Sequence, residues 1–176
     1  MAKILGGITT SHIPSVGNAI QQGLQEDPYW KPFFDGYPLI HQWIADNKPD
    51  YVINIYNDHG LGFFLDRMPT FAIGAAHEYK NEDEGWGLPE LDPFPGAPEL
   101  SWHIIESMVA DEFDITSCQE LPVDHGFVVP MQLFWPGAPH HPDMPKTVPI
   151  SANTVQHPIP TLQRALDFGR ALRHAL

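Results

Sequence analysis

The stretch that decides the fold is YVINIYNDHG, residues 51–60. Its first six residues are mostly β-branched or aromatic, and such side chains favour a strand. The apolar run ends at Tyr56, and Asn57, Asp58 and His59 follow at once. In α/β proteins, ligands bind at the carboxyl ends of strands. A ligand site is therefore expected around His59.

The segment that precedes this stretch repeats the arrangement. Residues 3–9, KILGGIT, predict a first buried strand, and His12 follows it closely. Between the two strands, apolar residues recur at helical spacing from Tyr37 to Ile44. Strand, helix and strand in this order predict a parallel unit with a right-handed crossover. Such a unit would bring His12 and His59 to the same edge of the sheet, where the two imidazoles could share one metal ion.

The rest of the chain continues to alternate between the two kinds of element. Strands are predicted at residues 70–74, 115–117 and 148–155, and helices at 16–24, 98–109, 128–134 (broken by Pro130) and 162–176. This alternation predicts an α/β fold, a three-layer αβα arrangement with a mixed, largely parallel central sheet. No repeat or linker divides the chain, so we expect residues 1–176 to form part of a single domain. The last helix leads to no further strand, so we expect the sheet to be incomplete at its carboxyl-terminal end.

Composition excludes several classes of protein. The formal net charge of −13 argues against nucleic acid or an anionic membrane as a partner, because the surface would repel both. No apolar run approaches the roughly 20 residues that a membrane helix needs. The amino terminus lacks the pattern of a signal peptide, and the single cysteine, Cys118, can form no internal disulfide. These features predict a cytoplasmic protein.

A third histidine extends the candidate site. Asp124, His125 and Gly126 repeat the Asp-His-Gly order found at residues 58–60. Three histidines are typical of zinc, whereas two histidines and a carboxylate with open positions are typical of non-haem Fe(II) oxygenases. The remaining histidines lack this context and are expected on the surface or in the core; they include His77, His103, His140, His141 and His157.

The third ligand of such a metal is not evident from the residues. Asp58 and Asp124 are each adjacent in sequence to a candidate histidine, which makes them poor third ligands. Glu84 is a possible ligand, but it lies in a long loop. Asn57 and Asp58 could instead orient His59 by hydrogen bonding.

Four motifs, taken together, resemble one known family. They are TSHIP at residues 10–14, YNDH at 56–59, DEGWG at 83–87 and VDHG at 123–126. In this order they resemble the class III extradiol ring-cleaving dioxygenases. The most similar members are the catalytic β subunit of protocatechuate 4,5-dioxygenase and the related gallate dioxygenases. The resemblance covers essentially the whole chain.

The resemblance implies a function and roles for particular residues. His12 and His59 would be two ligands of a non-haem Fe(II). His125 would be a catalytic residue that lines the substrate pocket, and Asn57 would bind substrate beside it. The reaction would be the extradiol cleavage of a carboxylated catechol such as gallate or protocatechuate by O₂, in the catabolism of aromatic compounds.

The resemblance also implies that part of the site lies elsewhere. Family members have a further half, which carries an acid–base histidine and the glutamate that completes the iron site. We therefore expect a carboxyl-terminal fragment or second subunit as a partner, within a homo- or hetero-oligomer. Two alternatives stay open: a non-catalytic half-domain that assembles with a partner chain, and a zinc hydrolase with a different third ligand.

Overall fold

The computed structural model describes residues 2–176. Three helices come first, four strands follow, and helices and strands alternate only from residue 98 onward. In order, the elements are α1 (Pro14–Gln21), α2 (Lys31–Phe34), α3 (Pro38–Asn47), β1 (Tyr51–Tyr56), β2 (Phe71–Gly74), β3 (Glu78–Tyr79), β4 (Phe94–Pro95), α4 (Pro98–Ala110), β5 (Thr116–Cys118), α5 (His125–Phe134), β6 (Lys146–Ala152) and α6 (Leu162–Ala175).

Four of the strands form one mixed sheet in the order β1-β6-β2-β5. β1 runs parallel to β6, β2 runs parallel to β5, and the central pair of β6 and β2 is antiparallel. The two short strands β3 and β4 form a separate antiparallel pair. The expected mixed and largely parallel sheet is therefore confirmed.

Helices cover both faces of this sheet. Alternate residues of β2 point to opposite sides, so that Ala72 joins the apolar cluster under α3 and α5, while Phe71 and Ile73 join the cluster under α4 and α6. Each cluster consists of large apolar side chains buried between helix and sheet. This arrangement confirms the three-layer αβα class.

The strand predicted at residues 3–9 is wrong. The structure has no strand there, and the segment makes no backbone hydrogen bond to another part of the described chain. An apolar run forms a strand only where a neighbouring strand can pair with its N–H and C=O groups. The parallel partner of β1 is β6, which comes much later in the sequence. The strand–helix–strand unit expected over the first 56 residues is therefore also wrong.

Other elements lie close to their predicted positions. β1 matches its predicted bounds, and the helices that begin near residues 38, 98 and 162 are present. The predicted break at Pro130 is wrong, because α5 continues through this proline. Pro130 lacks an N–H for the helix ladder, but nine of the ten residues of α5 are buried. Packing on every side holds the helix together across the missing bond.

The start of α5 lies very close to the end of β1. A side chain at Gly126 would place its Cβ 3.0 Å from the carbonyl oxygen of Asn57 and 2.9 Å from Asp124 Oδ1. A side chain here would require one of these atoms to shift, so the close approach favours glycine. The contact joins the loop after β1 to the first turn of α5.

Among residues 2–176, no helix has both the length and the apolar character needed to cross a bilayer.

The α6 helix offers a matched test of the packing under α4. Leu172 is 7% exposed in the cluster that includes Phe168, whereas Leu162 in the same helix is 92% exposed. We predict that Leu172→Ala lowers the free energy of unfolding by about 2–5 kcal/mol, because it removes buried methyl groups and leaves a cavity. Leu162→Ala should change it by less than about 0.5 kcal/mol. Urea unfolding followed by circular dichroism measures both values, and equal effects would contradict the described position of α6.

Candidate functional site

Three imidazole rings meet where β1 ends and α5 begins. The ring centroids of His12 and His59 are 5.2 Å apart, those of His12 and His125 are 5.9 Å apart, and those of His59 and His125 are 4.1 Å apart. One ring nitrogen from each histidine lies within 4.8 Å of the other two. The structure thus brings together all three histidines that the sequence singled out.

His12 reaches the cluster from the segment just before α1. Pro14 is the first residue of α1, and Val16 in that helix packs against Val129 and Leu133 of α5. The starts of α1 and α5 also lie close together, since the ring centroids of His12 and His125 are 5.9 Å apart. Burial lowers the pKa of His12, and the neighbouring imidazoles of His59 and His125 lower it further, because a second positive charge would be repelled.

His59 is held by a carboxylate from a distant part of the chain. Asp124 Oδ2 lies 2.8 Å from His59 Nδ1 and also accepts the backbone N–H of His59 at 2.7 Å. The hydrogen bond to Asp124 is the main reason that the pKa of His59 is raised, and it outweighs partial burial. On the opposite side of the ring, the Asn57 amide nitrogen lies 2.9 Å from Nε2.

Asp58 organises the loop and does not touch the His59 ring. Its carboxylate accepts four backbone N–H groups at 2.8–3.1 Å, from residues 60, 61, 62 and 63. An acceptor engaged in this way has little capacity left for a metal. The expectation that Asp58 orients His59 by a side-chain hydrogen bond is therefore wrong. Asp124 has that contact instead.

His125 is held in the same manner by Glu84. The Glu84 carboxylate places Oε1 at 2.8 Å from His125 Nδ1, and its Oε2 accepts the His125 backbone N–H at 2.7 Å. Both side chains are largely buried, at 5% and 11% exposed for His125 and Glu84. Glu84 thus contacts both the ring and the backbone of His125, and it is held in place although it lies in a loop.

The geometry suits a metal bound by imidazole. A carboxylate on Nδ1 keeps the proton there and leaves Nε2 with a free lone pair, and metal-binding histidines usually have such a partner. His59 and His125 both have a carboxylate on Nδ1, and Nε2 of His59 also lies 2.9 Å from the Asn57 amide nitrogen, which a metal would have to displace. Metal–nitrogen bonds of 2.0–2.1 Å would place the centroids of two ligating rings roughly 5 Å apart. The spacing of 5.2 Å between His12 and His59 agrees with this value.

Sequence reasoning missed the roles of Asp124 and Glu84. Each is separated from its histidine partner by many residues, 65 for Asp124 and His59 and 41 for Glu84 and His125. Only Asp124 carried a local signal, as the neighbour of His125 in the VDHG motif, whereas the DEGWG motif that contains Glu84 has no candidate histidine beside it. The other histidines are away from the cluster as expected: for example, His103 Nε2 lies 2.8 Å from the Ala175 carbonyl oxygen, and His140 pairs with Asp92 at the surface.

Comparison with known proteins gives a family match over almost the whole chain. The model of the family described as the catalytic LigB subunit of aromatic ring-opening dioxygenase matches residues 6–176.

Three curated relatives show the extent of the similarity. A 2,3-dihydroxyphenylpropionate/2,3-dihydroxicinnamic acid 1,2-dioxygenase of Photorhabdus laumondii is 29% identical over 94% of this chain and 48% of its own length. A gallate dioxygenase of Pseudomonas putida is 40% identical over 53% of this chain and 27% of its own. An enzyme of Rhodococcus globerulus with the same name as the first is 33% identical over 74% of this chain and 39% of its own. The chain therefore spans about half the length, or less, of these relatives.

The opposite pKa shifts predict the order in which the histidines titrate. As the pH rises, His12 should lose its proton below pH 6.5, the ordinary pKa of histidine, and His59 should lose its proton above that pH. The favourable pairing of protonated His59 with Asp124 stabilises the fold fully below pH 6.5 and is lost as the pH rises through the raised pKa. Asp124→Asn should lower the pKa of His59, because the amide cannot match the carboxylate charge. NMR titration of the imidazole signals measures each pKa.

A matched control for this titration is Asp111→Asn. Asp111 pairs with the exposed His174 at 3.2 Å, so this variant removes one carboxylate without touching the cluster. This variant should leave the pKa of His59 unchanged. A His59 titration that is the same in wild type and Asp124→Asn would contradict the described contact.

Proposed function

We propose that the chain forms the metal-binding part of a non-haem Fe(II) extradiol dioxygenase, because it belongs to the family described as the catalytic LigB subunit of aromatic ring-opening dioxygenase. The family membership confirms the resemblance identified from the four motifs. The observation that carries the proposal is the convergence of His12 and His59 at the carboxyl end of β1, with a carboxylate behind His59.

In this proposal His12 and His59 hold the metal. The lowered pKa of His12 favours its neutral form, and His59 has its Nδ1 occupied by Asp124. Neutral imidazole is the form that binds a metal, and nitrogen donors suit iron. Bound Fe(II) would supply the redox chemistry by which O₂ opens an aromatic diol beside its two hydroxyl groups.

The other residues of the cluster would position the substrate. His125 stacks against His59, and the contact between Glu84 and Nδ1 leaves Nε2 as the ring nitrogen of His125 that can act as an acceptor. This nitrogen can accept a hydrogen bond from a hydroxyl group of the substrate. Asn57 lies beside the same cluster and can donate its amide N–H to a substrate oxygen. We assign His125 as the catalytic residue that contacts substrate and Asn57 as a substrate-binding residue.

The charge of the protein is consistent with a cation at this site. A chain with a formal net charge of −13 repels a carboxylated substrate over most of its surface. A divalent metal would be the largest local positive charge and would attract the substrate to the histidines.

The substrate class follows from the relatives. Their names give gallate and 2,3-dihydroxyphenylpropionate as substrates of those proteins. We propose that the substrate here is a carboxylated catechol of this kind, such as gallate or protocatechuate. Because the chain spans about half the length of these relatives, we also propose that a further polypeptide segment or second subunit supplies the third protein ligand and the acid–base residue.

The three-histidine cluster also supports a second candidate function. If His125 binds the metal together with His12 and His59, the three imidazoles form a donor set found in catalytic zinc sites, and such a zinc could activate water in a hydrolase. The two candidates differ in the role of His125, which is a ligand in one and a substrate contact in the other.

Metal analysis of variants separates these roles. After anaerobic reconstitution with Fe(II), we predict that His12→Ala and His59→Ala each lower the metal content about tenfold or more, because each removes a ligand. His125→Ala should retain the metal, and the exposed His140→Ala is the control for general loss of histidine. A loss of metal in His125→Ala equal to that in His12→Ala would favour the three-histidine zinc site. Unchanged metal in all four variants would favour a non-catalytic half-domain.

The ring-opening activity is tested directly. The Fe(II)-loaded chain should be assayed alone and with the part of the gallate dioxygenase of Pseudomonas putida that lies outside the matched region, supplied as a separate polypeptide. We expect O₂ uptake and a coloured ring-opened product with gallate, protocatechuate or 2,3-dihydroxyphenylpropionate in the second mixture. 4-Hydroxybenzoate, which lacks the second adjacent hydroxyl, is the control and should give neither. No product from any diol in either mixture would count against the dioxygenase function.

A further inference from the structure

The carboxylate of Glu84 makes two contacts with one residue. Oε2 accepts the backbone N–H of His125 at 2.7 Å, while Oε1 lies 2.8 Å from Nδ1 of the same residue. His125 is the first residue of α5, so its N–H is one of the donors that a helix cannot satisfy internally. A single side chain therefore completes the start of the helix and fixes the orientation of the ring.

These contacts determine which ring nitrogen carries the proton. An ionised carboxylate can only accept hydrogen bonds, so Nδ1 of His125 must be the donor. In a neutral imidazole, Nε2 is then the acceptor. We propose that Glu84 is a positioning residue that keeps His125 in the Nδ1–H tautomer, with Nε2 available to accept a hydrogen bond from a substrate hydroxyl at the three-histidine cluster.

The loop that carries Glu84 is tied to both sides of the cluster. Asp83 Oδ1 accepts the N–H of Gly85, whose φ of +76° favours glycine. The carbonyl oxygen of Trp86 accepts the side-chain amide of Asn18 in α1, the helix that follows His12. The loop thus connects the helix beside His12 with the helix that begins at His125.

The base of the loop is closed by further hydrogen bonds. The Asn81 side chain donates to the Pro89 carbonyl oxygen and accepts the N–H of Leu91. The backbone N–H of Val123 donates to the Lys80 carbonyl oxygen at 2.9 Å, which fixes the loop beside the segment leading to His125. These hydrogen bonds hold the loop in place, so the position of Glu84 beside His125 is fixed.

This inference rests on the proposed function, because an acceptor at Nε2 is useful only if a hydroxyl group reaches the cluster. The tautomer itself can be measured without metal or substrate. A failure of the proposed activity and a failure of the positioning role are therefore distinguishable.

The decisive variant is Glu84→Gln. Glutamine offers one acceptor and one donor group where glutamate offers two acceptors. The backbone N–H of His125 needs the acceptor, so the side-chain NH₂ would face Nδ1. Nδ1 would then have to accept, and the proton would move to Nε2. Glu82→Gln makes the same change of charge at an exposed position in the same loop and is the matched control.

Imidazole ¹H–¹⁵N correlation spectra of the labelled, metal-free protein, recorded at the alkaline end of a titration where the ring signals no longer move with pH, report the tautomer of the neutral rings. The His125 signals are assigned by their absence in His125→Ala. We expect the Nδ1–H form of His125 in wild type and Glu82→Gln, and the Nε2–H form in Glu84→Gln. His59, which Asp124 holds, should stay in the Nδ1–H form in all three.

Two results would overturn the proposal. One is the Nε2–H form of His125 in the wild-type protein, a result that does not depend on the folding of any variant. The other is an unchanged Nδ1–H form in Glu84→Gln when the backbone signals show that the loop and α5 are intact.

Discussion

The carboxylate of Asp124 is the contact on which the site depends. Its Oδ2 accepts the backbone N–H of His59 and lies 2.8 Å from Nδ1 of the same residue. Its Oδ1 accepts the backbone N–H of Gly126 in the first turn of α5. Hydrogen bonds to a buried charged group contribute about 1.5–3 kcal/mol each. Asp124 is fully buried, so these bonds also offset the cost of removing its charge from water. The same side chain thus fixes a helix start, a loop and one imidazole.

Glu84 makes the same two contacts with His125 that Asp124 makes with His59. In each pair, an acceptor-only group binds the backbone and the Nδ1 of one histidine, so that ring orientation and chain position are set together. The two carboxylates each contact Nδ1, so Nε2 is the ring nitrogen left for a metal or a substrate. An arrangement in which negative groups back neutral imidazoles is well suited to a cation, because the carboxylates raise the basicity of the rings without occupying the metal's own positions.

The α/β alternation made much of the fold predictable. β1, α3 and α4 lie close to where strand composition and helical periodicity placed them, because local propensity and burial agree there. The segment 3–9 shows the limit of this reasoning, since its apolar residues suit a strand but no neighbouring strand in the described chain pairs with it. Pairing is a property of two segments, and one segment's sequence cannot report it.

The sequence by itself determined the three histidines, the strand that precedes His59, and the family to which the chain belongs. Those features are local: an apolar run, a short polar motif and a glycine that permits close approach. Only the tertiary structure decided which carboxylate holds which ring. Asp58 is the sequence neighbour of His59 and binds backbone N–H groups instead, while the contact to the ring comes from Asp124, 65 residues away. Hydrogen bonding depends on distance in space, and folding sets that distance by packing α5 against the end of β1.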